Sequence, residues 1–153
     1  IRDRRRALLM NTKTYLNQIS RLDKMIQNKL SEIYRLKTIA CSVTVSTDKE
    51  AVDVSSDKDK LGSTVTKIVD LEKDTDRLVD EFMRKRNHII SQIDSMENTD
   101  YYHVLSMRYV NQNTFEEIAQ ATNWSIRKIF TIHGRALQEF ERLYGKEYLE
   151  NVQ

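Results

Sequence analysis

Apolar residues recur along most of this chain at three- and four-residue intervals, with polar and charged residues between them. Tyr15, Ile19, Leu22, Ile26, Leu30, Ile33 and Ala40 keep that spacing, which predicts one amphipathic helix over residues 12–40, about eight turns long. A second stripe, Val65, Ile68, Leu71, Leu78, Phe82, Ile89, Ile93 and Met96, predicts a helix from a cap at Ser63 to about residue 97, its register weakened around Asp74 to Asp76. Neither helix can bury its stripe alone, so the pair predicts a long antiparallel hairpin, coiled-coil-like, over 12–97. Residues 41–62, rich in Ser, Thr, Asp and Lys, have no helical period and read as a polar, mobile linker. Within it, Val43 with Val45 and Val52 with Val54 alternate in a way that also permits a small β-hairpin.

The last third of the chain carries more specific signals. Asp100 to Val110 reads as a short helix with Val104, Leu105 and Tyr109 turned to a core. Thr114 followed by Glu117 is a capping box, in which two exposed backbone donors are satisfied reciprocally, so a helix starts there. In that helix Ile118 faces inward and Ala119 falls at a close crossing. Asn123 then marks a left-handed turn, Trp124 fills the corner and Ser125 caps the next helix. Ile129, Ile132, Ala136, Phe140 and Leu143 follow on one face, and Gly145 predicts the stop. Residues 98–145 thus form a three-helix helix-turn-helix module, with 146–153 a tail or short helix and 1–11 a basic leader outside the fold.

The outward face of the final helix gives the module its candidate chemistry. At 100° per residue Arg127, Thr131, Gly134 and Gln138 point away from the core, flanked by Lys128 and Arg135, and no acidic residue occurs between Ser125 and Gln138. A recognition helix must enter a groove about 12 Å wide with base-reading and phosphate-neutralising groups outermost. Arg127 can pair bidentately with guanine, and Thr131 offers a hydroxyl and a methyl, so these two are candidate base readers. Ser125, Lys128, Arg135 and Thr114 are candidate phosphate contacts, while Ile118, Ala119, Trp124, Ile129 and Ile132 hold the module together. Gly134, costing about 1 kcal/mol in a helix interior, makes sense where backbone and phosphate come close.

Composition bounds the alternatives. The 153 residues contain no proline and three glycines, which suits long uninterrupted helices and an all-α class. No apolar run approaches the roughly 20 residues of a membrane span, and the single cysteine, Cys41, excludes an intramolecular disulfide, so a soluble, cytoplasmic protein is expected. The formal net charge is only +2, so DNA binding has to rest on the local field of one helix and not on the total. His88, His103 and His133 fall in no metal-ligand spacing, and the chain has neither a glycine-rich phosphate loop nor a nucleophile elbow. No enzyme, cofactor, metal or small-molecule substrate is expected, and His133, on the inner side of its helix, is expected to be structural.

The segment TFEEIAQATNWSIRKIFTIHGRAL resembles region 4 of sigma-70-type transcription initiation factors through Thr114, Glu116, Glu117, Ile118, Ala119, Ser125, Ile132, Arg135, Ala136 and Leu137. Over nearly its whole length the chain also resembles small phage and prophage proteins, with Lys13, Tyr15, Leu16 and Gln18, then Arg21, Leu22 and Asp23, matching their opening, a group adjoining the ArpU and RinA late-gene regulators. The resemblance implies transcriptional control of phage genes in a bacterial host cell. It places Ile126, with Arg127, Lys128 and Thr131, at base-reading positions whose chemistry departs from the sigma pattern, so the sigma promoter element does not carry over. The expectation is a sequence-specific regulator of double-stranded DNA, its N-terminal helices forming a homodimer or other homo-oligomer or contacting RNA polymerase. Two alternatives remain at the level of sequence: a DNA-packaging oligomer like a small terminase subunit, and an interaction module that does not touch DNA.

Overall fold

The computed structural model describes residues 11–46 and 54–149. Among them there is no strand: helical residues 11–16 lead into α1 (Gln18–Ser46), followed by α2 (Val54–Asp94), α3 (Thr99–Leu105), a π-helical segment at Ser106–Val110, α4 (Phe115–Thr122) and α5 (Ile126–Leu149). The all-α class expected from the sequence is what is found.

Both long helices extend into the polar stretch between their apolar stripes. Most of the polar stretch 41–62 is helical, since α1 runs to Ser46 and α2 begins at Val54 instead of Ser63. Val43, Val45 and Val54 therefore lie in helices and not in a β-hairpin; Val52 and the rest of 47–53 lie outside the described residues. The reason is local. Ser42, Thr64 and Thr66 turn their hydroxyls back onto carbonyls of the preceding turn, Ile39, Lys60 and Gly62, so these polar side chains are satisfied without leaving the helix. Cys41 sits within α1, exposed and unpaired. Of the basic leader only Asn11 is described, and it is helical.

The described residues form two compact units: 11–21 together with 83–149, and 22–46 together with 54–82. In the second unit α1 and α2 run antiparallel, Lys29 pairing with Asp74 at 3.6 Å and Lys37 with Glu72 at 2.7 Å. Its core is one seam, where Ile33, Leu36 and Ile68 are buried with Leu71 against them. Leu30 and Val65, expected on the buried stripe, are exposed, and Leu36 is buried in their stead. A two-helix seam is narrower than the stripe a globular core would bury, so residues to one side of it stay in solvent. The break in register at Asp74 to Asp76 interrupts nothing. Thr75 occupies the seam, its hydroxyl donating to the Leu71 carbonyl at 2.6 Å, which lets a polar residue sit in an apolar row.

The first unit is built around α5. The N-terminal part of α5 packs with α3 and α4 on a cluster of Val104, Ile118, Ile129 and Ile132, ringed by Tyr101, Met107, Phe115, Ala119 and Trp124. Its C-terminal part continues past Gly145 to Leu149, so neither the predicted stop at 145 nor a separate tail after it is present up to that residue. Tyr148 is the reason: it stacks on Tyr15 with ring centroids 4.3 Å apart, and its hydroxyl lies 2.9 Å from the buried Thr12 hydroxyl. Gly145 keeps a negative φ and is buried, so no left-handed stop forms there. Around this joint the Tyr15 hydroxyl donates to Gln92 Oε1 at 2.9 Å, and Gln92 Nε2 donates to Glu147 at 2.8 Å. Burial and the Glu147 charge push the Tyr15 phenol up to about 12 despite the Gln92 contact, so it stays a donor.

Candidate nucleic-acid interface

The candidate interface is positioned by two local devices that the sequence dictates. At the start of α4 the Thr114 hydroxyl accepts from the Glu117 N–H at 3.2 Å, and the Thr114 N–H donates to the Glu117 carboxylate at 2.7 Å. Those bonds hold the Glu117 carboxyl below its ordinary range, so the box carries a full negative charge at the positive end of the helix dipole. At the other end Asn123 adopts φ 55 and ψ 29, the left-handed region. The Trp124 N–H then reaches the Ala119 carbonyl at 3.2 Å and the Asn123 N–H reaches Gln120 at 3.4 Å, the crossed pair of a Schellman turn, with Trp124 as its apolar contact on the core. Ser125 starts α5, its hydroxyl accepting from the Lys128 N–H at 3.2 Å.

Ile118 and Ile129 are fully buried and Ile132 nearly so, while Ala119 and Trp124 are half-buried around them. Above this core five of the candidate contact residues share one exposed surface. Ser125, Arg127, Lys128, Thr131 and Arg135, with Asp100 and Ile132, line a shallow depression of about 450 Å³. Among the described residues no carboxylate pairs with Arg127 or Arg135. Lys128 Nζ lies 3.7 Å above the Trp124 ring, a cation–π contact that holds its charge beside the turn. The Thr131 hydroxyl donates to the Arg127 carbonyl at 2.9 Å and retains lone pairs for an incoming donor. Thr114 is exposed but shares its turn with Glu116 and Glu117, so it is set apart in charge from the other phosphate candidates.

Three features escape a reading of periodicity alone. Asp100, in the first turn of α3, is the one carboxylate lining the depression. Phe130 is half exposed beside Ile126, one turn along α5, and leans on Phe115 at 4.8 Å, which adds an apolar flank to the basic face. Arg108, in the π-helical segment, donates to the Asn113 carbonyl at 2.8 Å and lies 4.8 Å over the Phe115 ring, fixing the approach to Thr114. A wider helix turn in the π-helical segment has no signature in apolar spacing, because it shifts a side chain by only one position.

His133 is buried, as its inner position on α5 requires, and its Nε2 lies 2.9 Å from the Tyr109 hydroxyl. Burial, reinforced by the charges of Lys13 and Arg108, pushes its imidazole down to about 4, and burial raises the Tyr109 phenol to about 12. A neutral imidazole accepting from a protonated phenol satisfies both groups without a buried charge. Among the described residues no group of three or more His, Cys, Asp or Glu is gathered closely enough to hold a metal ion, and no helix is long and apolar enough to cross a membrane.

Fold and site together define an all-α protein in which two helices joined by a left-handed turn, the second with an exposed basic face, accompany two long antiparallel helices. The chain belongs to the DUF1492 family, described as a protein of unknown function, whose model matches residues 41–141. No curated protein and no solved structure matches it.

Proposed function

We propose that this protein is a sequence-specific double-stranded DNA-binding transcriptional regulator of phage late-gene type, acting in the cytoplasm of a bacterial host, with the N-terminal half of α5 in the major groove. The observation that carries the proposal is the pairing of opposites on one helix. Ile129, Ile132 and Ala136 are buried on one side, while Arg127, Lys128, Thr131 and Arg135 stand exposed on the other with no acidic residue from Ile126 to Leu137. Such a face neutralises phosphates and presents donors to base edges at once. The resemblance of 114–137 to sigma region 4 and of the chain to phage late-gene regulators supports the same assignment. In it Arg127, Thr131 and Ile126 read bases, and Ser125, Lys128, Arg135 and Thr114 position the backbone.

The test is selection of bound fragments from the source genome, followed by footprinting. The expected result is protection of a discrete site upstream of structural or packaging genes. Absence of binding to any fragment at low salt would overturn the proposal and leave a protein-interaction role for the module.

A further inference from the structure

The second unit has two unlike sides. Its ion pairs mark them, because paired side chains must lie on the same side of the two-helix layer. Lys29 with Asp74, and Glu32 with both Arg35 and Lys67, occupy one side. Lys37 with Glu72 lies on the other. Carried round each helix at 100° per residue, Leu30 and Tyr34 of α1 and Val65, Val69 and Val79 of α2 all fall on the Lys37 side. All five are exposed, Tyr34 at 75 % and Leu30 at 46 %. Among the residues of α1 whose burial is described, the charged side carries Met25 and Ile39 as its exposed large apolar residues.

We infer that this apolar side is the seam of a two-fold homodimer, in which the α1–α2 layer of one copy stacks on that of a second to complete a four-helix bundle. Three observations select a second copy as the occupant. The five side chains, exposed at 38–75 %, leave an apolar face on the order of a few hundred Å² per copy, the range of the largest patches found on monomers. Two such faces with their flanking polar side chains approach the roughly 1,200–2,000 Å² of a specific interface. The layer's own core is a single seam, the narrow case in which helices of this length bury a second stripe against another pair. Charge fits a self-complementary stack: this side carries Lys37 together with Glu72 and Asp76, and Asp76 has no partner among the described residues, so a two-fold-related copy of the same face can offer it a lysine. The inference stands on residues 22–82 alone, so it and the DNA reading can fail separately.

Sedimentation equilibrium of the full chain is the experiment. The expected mass is twice 18.1 kDa at about 100 μM. Leu30→Glu and Tyr34→Glu together are expected to weaken association at least about ten-fold, with helicity by circular dichroism unchanged because both positions are exposed. Arg35→Glu, on the charged side, is expected to leave the mass as it is. Asp76→Lys, a surface change that keeps the fold, is expected to weaken the dimer less than the double variant. A monomer at that concentration, a ring of eight or more copies, or a dimer indifferent to both the double variant and Asp76→Lys would overturn the inference; capture of a different protein by a monomeric chain would reassign the face.

Discussion

At the scale of single residues, one side chain of the C-terminal module bears on stability and another on the proposed recognition of DNA. His133 is held neutral, its pKa about 4 against 6.5 in the unfolded chain. The depressed value means that protonation favours the unfolded state. Stability is therefore full above pH 6.5 and lost as the pH falls toward 4, where the folded form also protonates. Chemical denaturation at pH 7 and pH 5 should differ by about 2 kcal/mol, and the difference should vanish in His133→Gln; an equal drop in that variant would place the titration elsewhere. Arg127 belongs to the other side of this division, exposed at the start of α5 and with no carboxylate partner among the described residues. Arg127→Ala should weaken the preferred duplex by about 1–3 kcal/mol while leaving random duplex nearly unaffected. Parallel losses on both, measured by fluorescence anisotropy, would mean that Arg127 holds phosphate and reads nothing.

At the scale of elements, α5 serves two cores. Its first half buries Ile129, Ile132 and Ala136, its second Leu137, Phe140 and Tyr148, a face rotated by about a quarter turn. Extending the first stripe therefore places Leu143 inside, and it is instead exposed. The rotation follows from the partners: α3 and α4 take the first face, and the contacts of Tyr15 and Thr12 with Phe140 and Tyr148 take the second. Gly134 lies between the two, and a Cβ built there meets nothing within 4 Å. Gly134→Ala should therefore stabilise the fold by up to about 1 kcal/mol, raising the melting temperature, and should lower DNA affinity if the phosphate backbone approaches that point. A variant more stable and equally tight in binding would show that the glycine has no part in the interface.

At the scale of the whole molecule, the proposed DNA face and the inferred dimer face use different residues, so they should respond to different conditions. With Lys128 and Arg135 as phosphate contacts, each change to Gln should reduce the slope of log K against log salt by about one. Neither change should alter the sedimenting mass. If the apolar side of the second unit closes on a copy, the melting temperature should rise with protein concentration, by mass action.

The sequence by itself determined whatever depends on neighbours within a turn or two. The capping box at Thr114, the left-handed Asn123, the Ser125 cap and the exposed basic face of α5 are all written in residues at most four positions apart, where backbone geometry alone fixes what each side chain can do. The helical class followed from the same short-range periodicity. Only the tertiary structure decided the rest. Tyr148 stacking on Tyr15 carried α5 through Gly145, a rotated set of partners moved the buried stripe from Leu143 to Leu137 and Tyr148, and a narrow seam exposed Leu30 and Val65. In each case contacts between residues distant in sequence outweighed a local preference of about 1 kcal/mol or less, and such contacts leave no periodic trace in the chain.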